Sequence, residues 1–149
     1  MAPRIFYYAS LLAMVSVASC GGSSSSSENA NSFSETPLMT VASDSGKLHV
    51  DVRTSPSQPP TRGQQSVQLK ITDENGSPRT GLALGTTPWM PAMGHGASVT
   101  PSVSETTPGT YVIADVDMFM PGTWELRTTI ADADSKSSAD HVAPSFQIP

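Results

Sequence analysis

Apolar and polar residues alternate along several stretches of this chain. Leu48, Val50 and Val52 alternate with His49, Asp51 and Arg53, and Val67, Leu69 and Ile71 alternate with Gln68, Lys70 and Thr72. A period of two sends successive side chains to opposite faces, so each stretch predicts a strand with one buried face. Between them, Ser55 to Gly63 holds three prolines and reads as a loop. The second strand runs into Asp73-Glu74-Asn75-Gly76, where Asn-Gly supplies the positive φ of a tight turn.

Further strands follow downstream. Gly81 to Gly85 reads as a short one, with Leu82 and Leu84 on one side. Ala97, Val99 and Val103 outline another, and Thr107-Pro108-Gly109 is a turn. Tyr111 to Val116 is rich in β-formers. Gly122 to Ile130 alternates again, with Trp124, Leu126 and Ile130 against Glu125, Arg127 and Thr129; Phe146 and Ile148 close the chain as a last strand. About seven short strands separated by turn signals, with no helical pattern, predict an all-β, immunoglobulin-like antiparallel sandwich. A small barrel is the alternative. The Cys…Trp…Cys pattern of antibody domains is absent.

The chain ahead of these strands has a different character. Met1 to Arg4 carry one positive charge, Ile5 to Ala18 carry none, and the apolar run closes on Val17-Ala18-Ser19-Cys20. This is the form of a secretory signal, and the run is short for a spanning helix. Its ending resembles the bacterial lipobox, which implies cleavage before Cys20 and lipidation of that residue. An ordinary signal peptide with an incidental Cys is the alternative. Ser, Gly, Asn, Thr and acidic residues dominate Gly21 to Ser45, too little apolar material to offset chain entropy. The expected organisation is a signal over 1–19, a Ser-rich flexible tether over 20–45 and one sandwich domain over 46–149. The expected location is the cell envelope, periplasm-facing or extracellular, on a membrane through the lipid anchor.

Composition removes some functions. Only 37% of residues are hydrophobic and 14% charged, below the globular norm, in keeping with a part of the chain that builds no core. A net charge of −5 with eight scattered Lys and Arg argues against nucleic acid as a partner. One Cys leaves no disulfide within the chain and no Cys-based zinc cluster.

Methionine is the unusual residue here. Four of the seven fall in two segments, Trp89-Met90-Pro91-Ala92-Met93-Gly94-His95-Gly96 and Met118-Phe119-Met120-Pro121-Gly122-Thr123-Trp124, and each segment holds one of the two Trp. Both read as Gly- and Pro-rich connections between strands, where a rigid scaffold carries function. Thioether sulfur is a soft ligand and imidazole a borderline one, so together they suit Cu(I) better than Zn, Mg or Ca. Met93 and His95 are two apart, as are Met118 and Met120, so in extended chain each pair points one way. The candidate ligands are Met90, Met93, His95, Met118 and Met120, with Trp89 or Trp124 shielding the ion. The same residues also fit plain packing, since Met fills irregular gaps and lies against aromatics.

The run Met90-Pro91-Ala92-Met93-Gly94-His95-Gly96, followed by Phe119-Met120-Pro121-Gly122-Thr123-Trp124-Glu125-Leu126, resembles the YtkA-like domain family, related to FixH-like proteins. Val67 to Pro78, a strand followed by Asp-x-x-Gly-x-Pro, fits the family's opening. The resemblance spans about Lys47 to Ile130. It implies an immunoglobulin-like sandwich outside the cytoplasmic membrane, with Met90, Pro91, Met93, Gly94, His95, Met120, Pro121, Gly122 and Trp124 at motif positions. Met118 is an addition of this sequence. Several members resemble accessory parts of copper or heavy-metal handling systems, so a metal-efflux or other envelope protein is an expected partner.

Other constellations do not hold. Asp132-Ala133-Asp134-Ser135 begins like a calcium loop, but Ser137 and Ala143 stand where that loop needs Gly and Glu. His49 and His141 read as ordinary surface residues. There is no Gly-x-Ser-x-Gly elbow and no phosphate-binding Gly loop with Lys, so a non-enzymatic role is expected. Two functions remain: an envelope lipoprotein that binds or passes copper, or a non-metal interaction module with an exposed apolar patch around Trp89 and Phe119.

Overall fold

A computed structural model describes residues 32–133 and 139–149. The expected signal over 1–19, Cys20 and the first part of the tether lie outside the described residues, as does the middle of the Asp132 to Asp140 connection. Among the described residues ten strands run in the order β1 (Met39–Ala42), β2 (Leu48–Ser55), β3 (Gly63–Asp73), β4 (Leu82–Met90), β5 (His95–Gly96), β6 (Ser102–Thr107), β7 (Thr110–Met118), β8 (Gly122–Asp132), β9 (Asp140–Val142) and β10 (Ser145–Ile148). They form two antiparallel sheets of five strands, β1-β2-β3-β7-β6 and β10-β8-β4-β5 with β9 on β8. Among the described residues no helix is long and apolar enough to cross a membrane.

The alternating residues do what their spacing requires. Leu48, Val50, Val52, Val67, Leu69 and Ile71 face inward from one sheet, Trp124, Leu126 and Ile130 from the other, and all are buried. The fold is an all-β sandwich with a single core between its sheets.

Three expectations change. The Ser-rich stretch read as tether up to Ser45 contains β1, whose Thr40 and Val41 pair with Asp51 and Val50 of β2. Leu38, Met39 and Val41 pack on the core, so this short run buries enough to join the sheet. The strand expected from Ala97 to Val103 begins only at Ser102, and Trp89 and Met90, expected in a loop, belong to β4. His141, read as a surface residue, is exposed and lies on β9 opposite Thr129.

A bulge in β7 sets the phase of its last turns. Val67 pairs with Ile113 and Gln65 with Val116, so Ala114 and Asp115 together oppose Ser66. Asp115 takes the strain, with a φ of 62° that non-glycine residues seldom adopt. Strict alternation from Tyr111 would turn Asp115 and Asp117 inward and Met118 outward. The extra residue reverses this: Val116 and Met118 are buried and Asp115 is exposed.

The two ends of the sandwich differ. At the far end Tyr111, on β7, donates its hydroxyl to the Arg79 carbonyl at 2.9 Å and accepts from the Leu82 N–H at 3.0 Å. This ties the link before β4 to the opposite sheet, much as the tyrosine corner does in related sandwiches. Burial pushes the Tyr111 hydroxyl above its ordinary range. Glu105 accepts the Gly81 and Gly109 N–H groups at 3.0 and 2.9 Å, which hold its carboxyl below the usual range.

Candidate metal centre

Ser55, Gly63, Met90, Met118 and Gly122 mark one end of the sandwich, where two connections project. β4 ends at Met90 and a tight turn returns the chain to β5, so that His95 pairs with Met90 and Gly96 with Trp89. The Met93 and Gly94 N–H groups both donate to the Met90 carbonyl, at 3.1 and 3.0 Å. Gly94 adopts a φ of 67°, open to glycine at no steric cost. Met93 therefore sits in a turn rather than in extended chain, and both it and His95 are exposed.

The second connection joins β7 to β8 through Phe119, Met120 and Pro121. Buried Trp124 donates its indole N–H to the Met120 carbonyl at 2.9 Å, which pins this turn to the core. Gly122 explains how the two connections come together. A Cβ added there would lie 2.6 Å from the Met90 methyl, the movable end of a flexible side chain, and it is the φ of 125° that favours glycine.

Above this contact the rings form a short ladder. Phe119 meets Trp124 edge to face at 5.5 Å between centroids, and His95 stacks on Phe119 at 6.4 Å and 14°. The His95 Nδ1 lies 3.2 Å from the Gly96 carbonyl oxygen. A carbonyl only accepts, so the contact is made by a protonated Nδ1, and in the neutral ring the lone pair is then on Nε2. An imidazole whose second nitrogen is tied to a backbone carbonyl is in the state that binds a metal.

The candidate ligands divide into two groups. Met93 is 57% exposed, His95 is exposed and Met120 is half-buried against the core. Met90 and Met118 retain 6% and 1% of their surface and pack inside. The Trp residues do not cover the open side chains. Trp124 lies wholly within the core. Trp89 lies on the outer face of its sheet, with the Arg127 guanidinium 4.8 Å from its ring centroid. Arg127 also pairs with Glu125 at 2.9 Å, so the face of Trp89 already has a cation.

Sequence reasoning named Phe119 for an apolar interaction patch and not for the metal site, although it stacks on His95. Its position between two Met in a stretch without charge was the available signal. Val99 was read as strand and is instead 42% exposed between β5 and β6. Among the described residues no three His, Cys, Asp or Glu side chains are grouped to hold a metal ion. The donors at this rim are thioether and imidazole, a set that fits a soft ion and not a hard one.

Comparison with the curated proteins and with the solved structures finds no match. The family model of the YtkA-like domains matches residues 43–129, from the turn before β2 through nearly all of β8. That span covers more than half of the chain and contains both methionine connections, and the chain belongs to the YtkA-like family.

Proposed function

We propose that this protein is an envelope lipoprotein whose YtkA-like domain binds a soft metal ion, Cu(I), at the rim where its two methionine connections meet. The observation that carries the reading is the setting of His95: stacked on Phe119, with Nδ1 3.2 Å from the Gly96 carbonyl oxygen, at the end of the turn that carries exposed Met93. Met93 and His95 are the outer donors and half-buried Met120 the third. Met90 and Met118 support the two turns from within.

The bound ion would be held without thiolate. That suits an oxidising compartment, because thioethers are not drawn into disulfides. The chain's own residues supply an imidazole with one nitrogen turned to a backbone carbonyl and a hydrogen-bonded turn that carries Met93 two residues before it. A lipid on Cys20 would keep the domain at a membrane surface, with a metal-efflux or other envelope protein as its partner.

Titration with Cu(I) against a competing chelator tests this, in a Cys20→Ser background so that no thiol contributes. Binding is expected, with a loss of at least about tenfold in Met93→Leu combined with His95→Ala, equal to about 1.4 kcal/mol. Binding that ignores both substitutions would remove these residues from the site.

A further inference from the structure

The exposed large apolar side chains among the described residues are Met93, Val99 and Phe119, at 57%, 42% and 40%. Met93 and Phe119 lie on the two methionine connections, and Val99 lies on the link that leaves β5 for β6. Residues 91–104 and 118–124 carry no Lys, Arg, Asp or Glu, in a chain of net charge −5. Loss of charge with enrichment in Met and aromatic residues is the composition of an interface core.

The donor count bears on what covers this rim. A soft ion is held by about three or four sulfur or imidazole donors. One copy of the chain offers two exposed donors, Met93 and His95, on the same turn, while Met120 is half-buried against the core. We propose that two copies of this chain meet rim to rim and share one Cu(I), each contributing Met93 and His95.

The inference rests on the metal reading above and adds its stoichiometry and its partner. Two acidic chains repel most weakly where neither carries charge, and the rim is such a surface. Contact there would bring four soft donors around one ion. It would also set Phe119 of each copy, stacked on His95, as an apolar cover that keeps water from it.

The test uses the Cys20→Ser chain in detergent, titrated anaerobically with Cu(I) and followed by sedimentation. The expected result is a monomer without metal and a dimer with it, saturating at one ion per two chains. Ala92→Glu, which spares every donor and puts a charge on the exposed turn between Met90 and His95, is expected to weaken dimer formation at least tenfold and to leave the metal-free protein unchanged. Met120→Leu is expected to keep the dimer. Saturation at one ion per chain in a monomer, abolished by Met120→Leu, would overturn the shared site and leave single-chain binding standing. Absence of any Cu(I) binding would overturn both.

Discussion

The two ends of this sandwich are built on opposite principles. At the far end, turns are stitched by polar groups: Tyr111 bridges Arg79 and Leu82, Glu105 caps Gly81 and Gly109, and Arg79 pairs with Asp132 at 2.8 Å. Asp140 there accepts from the Ser45 hydroxyl at 2.6 Å and from the Ser45 and His141 N–H groups. At the methionine rim, turns are held by apolar contact and stacked rings, and uncharged side chains stand open to solvent. An end that only closes a fold has reason to satisfy its polar groups. An end that leaves Met93 and Phe119 exposed has other work, and we assign that work to soft-metal binding.

Breaking the rim's support has the largest expected effect. Trp124→Ala removes a wholly buried ring together with the hydrogen bond that pins Met120, and is expected to cost about 3–5 kcal/mol by denaturant unfolding. Substitution within the methionines sharpens the contrast between inner and outer positions. Met118→Ala is expected to cost about 2–5 kcal/mol, because that side chain is buried. Met93→Ala is expected to stay within about 0.5 kcal/mol, since it is exposed, while weakening Cu(I) binding.

The far end answers to different changes. Tyr111→Phe leaves the Leu82 N–H and the Arg79 carbonyl without their partner and is expected to cost about 1–3 kcal/mol, with Cu(I) affinity unchanged. Acid has the smallest effect. Burial works to raise the Asp140 carboxyl, but hydrogen bonds from Ser43, Ser45 and His141 outweigh it and bring it to about 2. An unfolded Asp titrates near 3.9, so this contribution is fully present above that pH and is lost as pH falls through about 2. Glu105, also held below its ordinary range, acts in the same direction. Unfolding followed from pH 5 to pH 2 should lose stability in wild type and less in Asp140→Asn.

Much of the fold was legible in the sequence because one-sided burial demands alternation. β2, β3 and β8 each carry at least three apolar residues in phase and stand where that pattern put them. β1 and β9 were not legible, since four and three residues hold too few apolar positions to display a period. The bulge at Asp115 was hidden for another reason. Local sequence does not announce the residue at which a strand adds one to its count, and that residue decides whether Met118 faces the core or the solvent.

The site was legible in part. The two methionine segments meet through Met90 and Gly122 and through His95 and Phe119, as adjacent connections on one rim. The sides taken by individual residues were not legible, because they depend on the strand boundaries. Once β4 extends to Met90, its alternation turns Met90 inward and Trp89 out toward Arg127.

The central claim is that the open side chains of this rim, and not the buried ones, hold a soft ion. Methionine methyl and histidine nitrogen resonances, recorded as Cu(I) is added to the Cys20→Ser chain, test it most directly. The account predicts that the Met93 methyl and His95 Nε2 shift together up to saturation while the Met118 methyl stays in place. Saturating Cu(I) that leaves the Met93 and His95 signals unmoved would contradict it.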